Sequence, residues 1–355
     1  IFKTITKNME QLKKEIKTYL HVEEYDKEND IYIGTKSWDY GGPRGMFGGQ
    51  VAAQTMAAAM LSVEPEYHIH SMHLHFLLGG KREEPIYFHV ERTRDGRSFA
   101  SRTVNAKQDG KIIYTMICSF QKPEDSPTTH QYSMPQVYGP EDKQTYEFFS
   151  SLKNEKDKRH FKTNYKEIFG EHKFVSKVAI PVDEKLRDSF KSINLVQKNG
   201  NSGTPNIVPP YILYWFKMDE DLSNTTQQLS FLFLGIFSDF WLDDTNAFPY
   251  MNGYNEDKIE ITMTVSLDHS LWFHRPFRVD DWILFELDSP RLASGRGFLS
   301  GRYYSKDGTL LASMTQENLF RTRVLADDAI TKFKFIKPPI QNDRSLDKTN
   351  LKSKF

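Results

Sequence analysis

The stretch from Ser266 to Arg275 reads SLDHSLWFHR, and its pattern occurs a second time far upstream. His269-Ser270-Leu271-Trp272-Phe273-His274 has the spacing of His70-Ser71-Met72-His73-Leu74-His75, an offset of 269 − 70 = 199. At the same offset Arg97-Ser98-Phe99 falls on Arg296-Gly297-Phe298, and after a one-residue deletion Asp109-Gly110 meets Asp307-Gly308. Repeated chemistry at one offset means that one fold is present twice.

The rest of the chain fits that division. A length of 355 residues suits two cores of ordinary size with a segment between them. The expected boundaries are 1–125 for the first unit, 126–209 for a long charged connection, 210–328 for the second unit and 329–355 for a tail. In the first unit, Met9–Tyr19 has helical spacing, and Tyr25–Trp38 reads as a short edge strand or loop. The GGPRGMFGGQ segment holds off regular structure until Gly48-Gly49. An Ala-rich helix, Gln50–Val63, follows, and then strands at Ile69–Leu78, Ile86–Arg94, Arg97–Gln108 and Lys111–Gln121. The second unit repeats this order. YILYWFKM opens it as a strand, and Leu229–Leu242 is apolar on every side, as a helix enclosed by its own domain would be. Strands are expected at Ile259–Ser270, Trp282–Asp288, Gly297–Ser305 and Thr309–Arg321. Asp-Gly pairs at Asp109 and Asp307 mark hairpin turns. The fold class is α+β: a long helix gripped by a curved antiparallel sheet, twice. In the connection, a helix is expected around Glu141–Phe169, with the charge run Lys153–Glu167 as a solvated face and Asn199–Asn206 as a loop.

Composition narrows function. Lys plus Arg and Asp plus Glu both number 47, so no overall field favours nucleic acid or an acidic membrane. One cysteine, Cys118, excludes an internal disulfide framework and reads as a buried inert thiol. No apolar run reaches the length of a membrane span. Residue 1 is Ile and the first Met is Met9, so the leading IFKTITKN reads as an addition to the chain or a fragment of a longer one; it carries no secretory signal. Glycine-rich nucleotide loops and the G-x-S-x-G elbow are absent, which removes support for nucleotide-dependent redox chemistry, ATP use and α/β-hydrolase chemistry.

Asp239 is the one ionisable side chain in Leu229–Leu242, and a buried carboxylate needs either a pocket or hydrogen-bond partners. Ser266 and Gln316 lie on strands expected to face that helix. Under the offset, Ser266 corresponds to Tyr67 and Gln316 to Cys118, so the first unit lacks both groups and the molecule should carry one site. Asp268-His269-Ser270 does not read as a triad, because strand neighbours point to opposite faces. The same alternation sets His68 and His70 opposite His73 and His75, and no metal site is expected.

Five motifs together resemble the acyl-CoA thioesterase II family of TesB type: FGGQVAAQ (Phe47–Gln54), the HSMHLHFL strand, RDGRSF (Arg94–Phe99), SLDHSLWFHRPF (Ser266–Phe277) and ASMTQE (Ala312–Glu317). The resemblance implies a double hotdog fold and hydrolysis of fatty acyl-CoA by an activated water, with no covalent intermediate and no cofactor. It places that water among Asp239, Ser266 and Gln316; bacterial members carry Thr at the position of Ser266. Leu78-Gly79-Gly80 stands where bacterial members have Arg-Pro-Gly, and this form looks like the fungal branch. Gly48-Gly49, at a helix start, are candidate oxyanion donors. Arg94, Arg97 and Arg296 are candidates to meet the phosphates of coenzyme A. Ser353-Lys354-Phe355 resembles a peroxisomal address, which would bring in an import receptor. Hotdog sheets commonly pair, so a homodimer is expected. Two rivals are a hotdog hydratase, which would need a helix histidine absent from Leu229–Leu242, and a non-catalytic acyl-CoA binder, against which the Asp-Ser-Gln set argues.

Overall fold

The computed structural model describes residues 2–38, 45–145, 174–184, 207, 209–251, 255 and 257–335. The charge run, the Asn199–Asn206 loop, the C-terminal tripeptide and nearly all of the expected 141–169 helix lie outside these residues.

The elements are α1 (Phe2–Glu15), continued by a π turn (Ile16–Leu20), then β1 (Val22–Asp26), β2 (Ile31–Gly34), α2 (Gly48–Leu61), β3 (His68–Phe76), β4 (Ile86–Asp95), β5 (Phe99–Gln108), β6 (Lys111–Gln121) and β7 (Phe174–Val178). The second half has β8 (Tyr211–Met218), α3 (Gln227–Phe237), α4 (Leu242–Met251), β9 (Ile259–Ser266), β10 (Asp268–Phe273), β11 (Ile283–Ala293), β12 (Arg296–Ser305) and β13 (Leu310–Val324).

Among the described residues all strands join one antiparallel sheet in the order β1-β2-β4-β5-β6-β3-β10-β13-β12-β11-β8-β7, with β9 also on β13. That order is a palindrome about the β3–β10 seam. At the seam Met72 pairs with Leu271, and 271 − 72 = 199, so the axis relating the two copies passes through this pair. The repeat in sequence is thus a pseudo-two-fold in space.

The two central helices lie within the sheet's curve and touch each other. Every residue of α2 from Gly49 to Met60 is buried, as is α3 from Leu229 to Phe237. Gly235 permits this contact, since a Cβ there would lie 2.9 Å from Met56 Sδ. At the far end of α2, Arg102 is buried and donates to the Ser62 carbonyl and hydroxyl and to Asp95, satisfying groups a helix C-terminus leaves open. Asp109 and Gly110 both have positive φ, 48° and 73°, the conformation a two-residue Asp-Gly hairpin requires.

Four expectations are corrected. The apolar helix ends at Phe237, because Ser238 turns its hydroxyl back to Gly235 O and Trp241 takes φ 62°; Asp239 therefore sits in the turn before α4. The strand expected over Ile259–Ser270 is broken at Leu267: Ser266 pairs with Asn318 but Ser270 with Thr315, four residues against three. A register shift between Ile69 and Ser71 also changes the parity of β3. His68, His70, His73 and His75 consequently share the outer face, alternating with buried Ile69, Met72 and Leu74. Finally, β7 pairs with β8 inside the segment expected to be connection, where the buried-exposed alternation of FVSKV was the available signal.

Candidate active site

The helix break at Ser238 and the bulge at Leu267 both aim side chains into one cavity. Its volume is about 790 Å³, within the usual range for small-molecule sites. The first unit contributes Phe47, Gly48, Val51, Phe76 and Tyr114, and the second contributes Asp239, Phe240, Trp241, Ser266 and Gln316. The lining mixes aromatic and aliphatic side chains with the hydroxyl, amide and carboxylate groups.

The bulge is built to present Ser266. Leu267 N–H donates to Glu317 O, and Asp268 Oδ1 accepts the Glu317 N–H at 2.8 Å, so the irregular turn of the ladder keeps its bonds. Asp268 thus serves the backbone. The Ser266 hydroxyl then accepts Gln316 Nε2–H at 2.9 Å, and the same amide lies against the Asp239 carboxylate.

Asp239 is bound across the junction of the units. Gly49 N–H, at the start of α2, donates to its Oδ2 at 2.8 Å. Burial pushes its carboxyl up to about 7 and Asp243 adds to the rise, while the Gly49 N–H and the Gln316 amide oppose it. A carboxylate poised near neutrality can both take and return a proton. Burial, and then the nearness of Asp239, hold the Tyr114 and Tyr303 phenols well above their ordinary value, so both remain protonated.

Two residues of the site were not legible from spacing. His269 is buried between Gln316 Oε1, 2.6 Å from its Nδ1, and Ser238 Oγ, 2.8 Å from its Nε2. Tyr114 comes from the unit expected to contribute no reactive side chain; a Cβ added at Gly48 would stand 3.2 Å from its hydroxyl. For His269 the repeated HS pair was the signal, although its partner His70 is carried to the outer face by the β3 bulge.

Asp239, Ser266 and Gln316 are brought together, with Gly48 and Gly49 beside them. Gly49 spends its N–H on Asp239, which leaves Gly48 as the available backbone donor. Arg94, Arg97 and Arg296 do not line the cavity: they stand at hairpin turns, and Arg296 Nε is 2.9 Å from Glu317 Oε1. The expectation that they meet a ligand at the mouth thus finds no support in the lining. Among the described residues no group of His, Cys, Asp or Glu is arranged to hold a metal, and no helix is long and apolar enough to cross a membrane.

Residues 35–121 match the acyl-CoA thioesterase N-terminal domain, and residues 179–320 match the acyl-CoA thioesterase C-terminal domain. The chain belongs to the acyl-CoA thioesterase family. It is 32% identical to rat acyl-coenzyme A thioesterase 8 over 308 residues, covering 87% of this chain and 89% of the relative. It is 25% identical to the peroxisomal acyl-coenzyme A thioester hydrolase 1 of Saccharomyces cerevisiae, covering 78% and 86%. Among solved structures, the acyl-CoA thioesterase II TesB2 of Mycobacterium marinum superposes with a TM-score of 0.62 at 27% identity, covering 91% of this thioesterase and 99% of that chain. The family fold is the double hotdog, in agreement with the palindromic sheet.

Proposed function

We propose that the protein hydrolyses fatty acyl-CoA thioesters to the free acid and coenzyme A through a water activated by Asp239. The observation that carries the mechanism is a buried carboxylate near neutral pKa beside an amide and a hydroxyl, in the lining of a cavity that also holds Phe47, Phe76, Phe240 and Trp241. Asp239 takes a proton from the water as its oxygen adds to the thioester carbonyl. The Ser266 hydroxyl, itself held by Gln316 Nε2–H, keeps that water in line. The tetrahedral oxyanion meets the Gly48 N–H at the positive end of α2. Collapse breaks the carbon–sulfur bond, and the thiolate recovers the proton from Asp239. Thiols titrate near 8.5, so the leaving group needs no strong acid. Phe47, Phe76, Phe240 and Trp241 give the acyl chain an apolar wall.

Ser353-Lys354-Phe355 acts as the peroxisomal address in this reading, read by the import receptor; the peroxisomal yeast relative supports it. The chain pairs as a homodimer, which its mass in solution tests. The activity is tested by release of free thiol from acyl-CoAs of graded length, with wild type and Asp239→Asn side by side. Thiol release lost in the variant supports the reading. Equal release from both removes Asp239 as the base, and binding without release favours the acyl-CoA binder.

A further inference from the structure

The amide of Gln316 can occupy its site in two orientations that differ only by exchanging oxygen and nitrogen. One puts Nε2–H toward the Asp239 carboxylate and the Ser266 hydroxyl; the other turns Oε1 upon a carboxylate, where two acceptors repel. Gln316 is itself buried, so water cannot correct a wrong choice. Something must choose the orientation.

His269 is the group in contact with the other end of that amide. Its Nδ1 is 2.6 Å from Gln316 Oε1, and its Nε2 is 2.8 Å from Ser238 Oγ. Oε1 can only accept, so Nδ1 carries the proton; the neutral imidazole then offers Nε2 as an acceptor, and the single Ser238 hydroxyl proton, which also has Gly235 O at 2.9 Å, is shared between these two acceptors. The chain of donors runs from Ser238 through His269 and Gln316 to Asp239. Ser238 caps α3 one residue before Asp239, so the relay begins beside the carboxylate on which it ends.

We infer that His269, held by Ser238, is a positioning residue that fixes the Gln316 amide with its N–H groups toward Asp239 and the Ser266 hydroxyl. The inference rests on the proposed role of Gln316 but needs no substrate contact by His269. Burial carries the imidazole down to about 4, so it stays neutral and presents one donor and one acceptor throughout the working range. A charged imidazolium would donate at both nitrogens and break the polarity of the relay.

The consequence is measurable because the amide N–H is one of the two groups that lower the Asp239 carboxyl. The other groups facing that carboxyl are the Gly49 N–H from α2, Asp243 on α4, and the phenols of Tyr114 on β6 and Tyr303 on β12. Substitution of His269 leaves all of these in place. Losing the fixed amide therefore raises the Asp239 carboxyl further, and the acidic limb of the kcat/KM profile moves to higher pH.

The test is a double-mutant cycle on the full chain with acyl-CoA as substrate. His269→Leu is expected to lower kcat by about 10²-fold, the scale of a misplaced positioning group, with KM unchanged and the acidic limb displaced upward. His269→Asn, which keeps a donor near the position of Nδ1, is expected to restore most of the rate. The His269→Leu/Gln316→Ala double variant should be no slower than Gln316→Ala alone. Additive losses, or an unmoved acidic limb in His269→Leu, would overturn the inference. If His269→Leu does not fold, Ser238→Ala carries the same pH and cycle measurements. Full activity in Gln316→Ala would instead refute the role of Gln316, a failure separate from that of His269.

Discussion

Asp239 is asked to ionise in a place that disfavours charge, and that conflict has a thermodynamic signature. Its folded pKa, about 7, lies above the ordinary 3.8, so the native state binds this proton more tightly than the unfolded chain does. Ionisation between those values therefore lowers stability as pH rises, and the loss levels off above about 7. Asp239→Asn, which cannot ionise, is expected to unfold at higher denaturant than wild type at pH 8 and to show no such gain at pH 4, while hydrolysis falls by roughly 10²- to 10⁴-fold. Urea titrations at both pH values decide it. In wild type, kcat/KM should rise through about pH 7 as the base loses its proton. Gly48 offers a second test: a Cβ there would come within 2.7 Å of both Asp239 Oδ2 and Phe76 Cε1, so Gly48→Ala should cut kcat while far-UV circular dichroism stays native. Asp239, Ser266 and Gln316 could be chosen from the sequence because an acid in an apolar run needs partners. The repeated HS pair marked His269 but not its role, since its partner Ser238 becomes available only where the helix breaks.

At the scale of elements, α1 is tied to the second unit by one buried carboxylate. Glu15 accepts the Thr226 N–H at 3.0 Å and the Thr226 hydroxyl, taking over the cap that Thr226, at the start of α3, does not make for itself. Glu15→Ala should destabilise the protein by about 1–3 kcal/mol, the range for a buried donor losing its partner, measured as a shift in urea midpoint at constant slope. Nothing in MEQLKKEIKTY announces this bond, because the acceptor and its donor are 211 residues apart. Most strands were legible because one face is buried and the period of two is strong, while β8, buried on both faces, read as a short continuous apolar run. Their irregularities were not: an added residue at Leu267 leaves the apolar pattern almost unchanged in sequence, yet it breaks the strand and re-aims Ser266. β7 escaped notice for a related reason, five residues of clear alternation enclosed by charge.

Among the described residues the strands of both units form one continuous ladder. The β3–β10 seam is hydrogen-bonded like any other pair in the sheet, and α2 packs on α3 above it, so the units share a core. Leu271, fully buried on the pseudo-two-fold, is expected to cost about 2–5 kcal/mol on substitution by Ala, and hydrogen exchange should show protection in β6 and β13 lost at one common urea concentration. Separate loss in the two units would mean that the seam does not couple them. The duplication itself was readable from His70 and His269, but the sharing of the site was not. Gly49 reaches Asp239 across 190 positions of sequence, and no local pattern records that approach.

The palindrome has a consequence for how such a chain can vary. Two identical subunits around a true axis write every substitution twice, so a change that spoils one catalytic pocket spoils its mate. Here the copies are joined in one chain, and the pairing of Met72 with Cys118 and of Leu271 with Met314 makes Phe120, not the expected Cys118, the counterpart of Gln316, so the first copy still lacks the amide. The silent copy keeps the geometry that supplies the Gly49 N–H and is released from the chemistry. Asymmetry of this kind is open to a repeat encoded in a single polypeptide and closed to a pair of identical subunits.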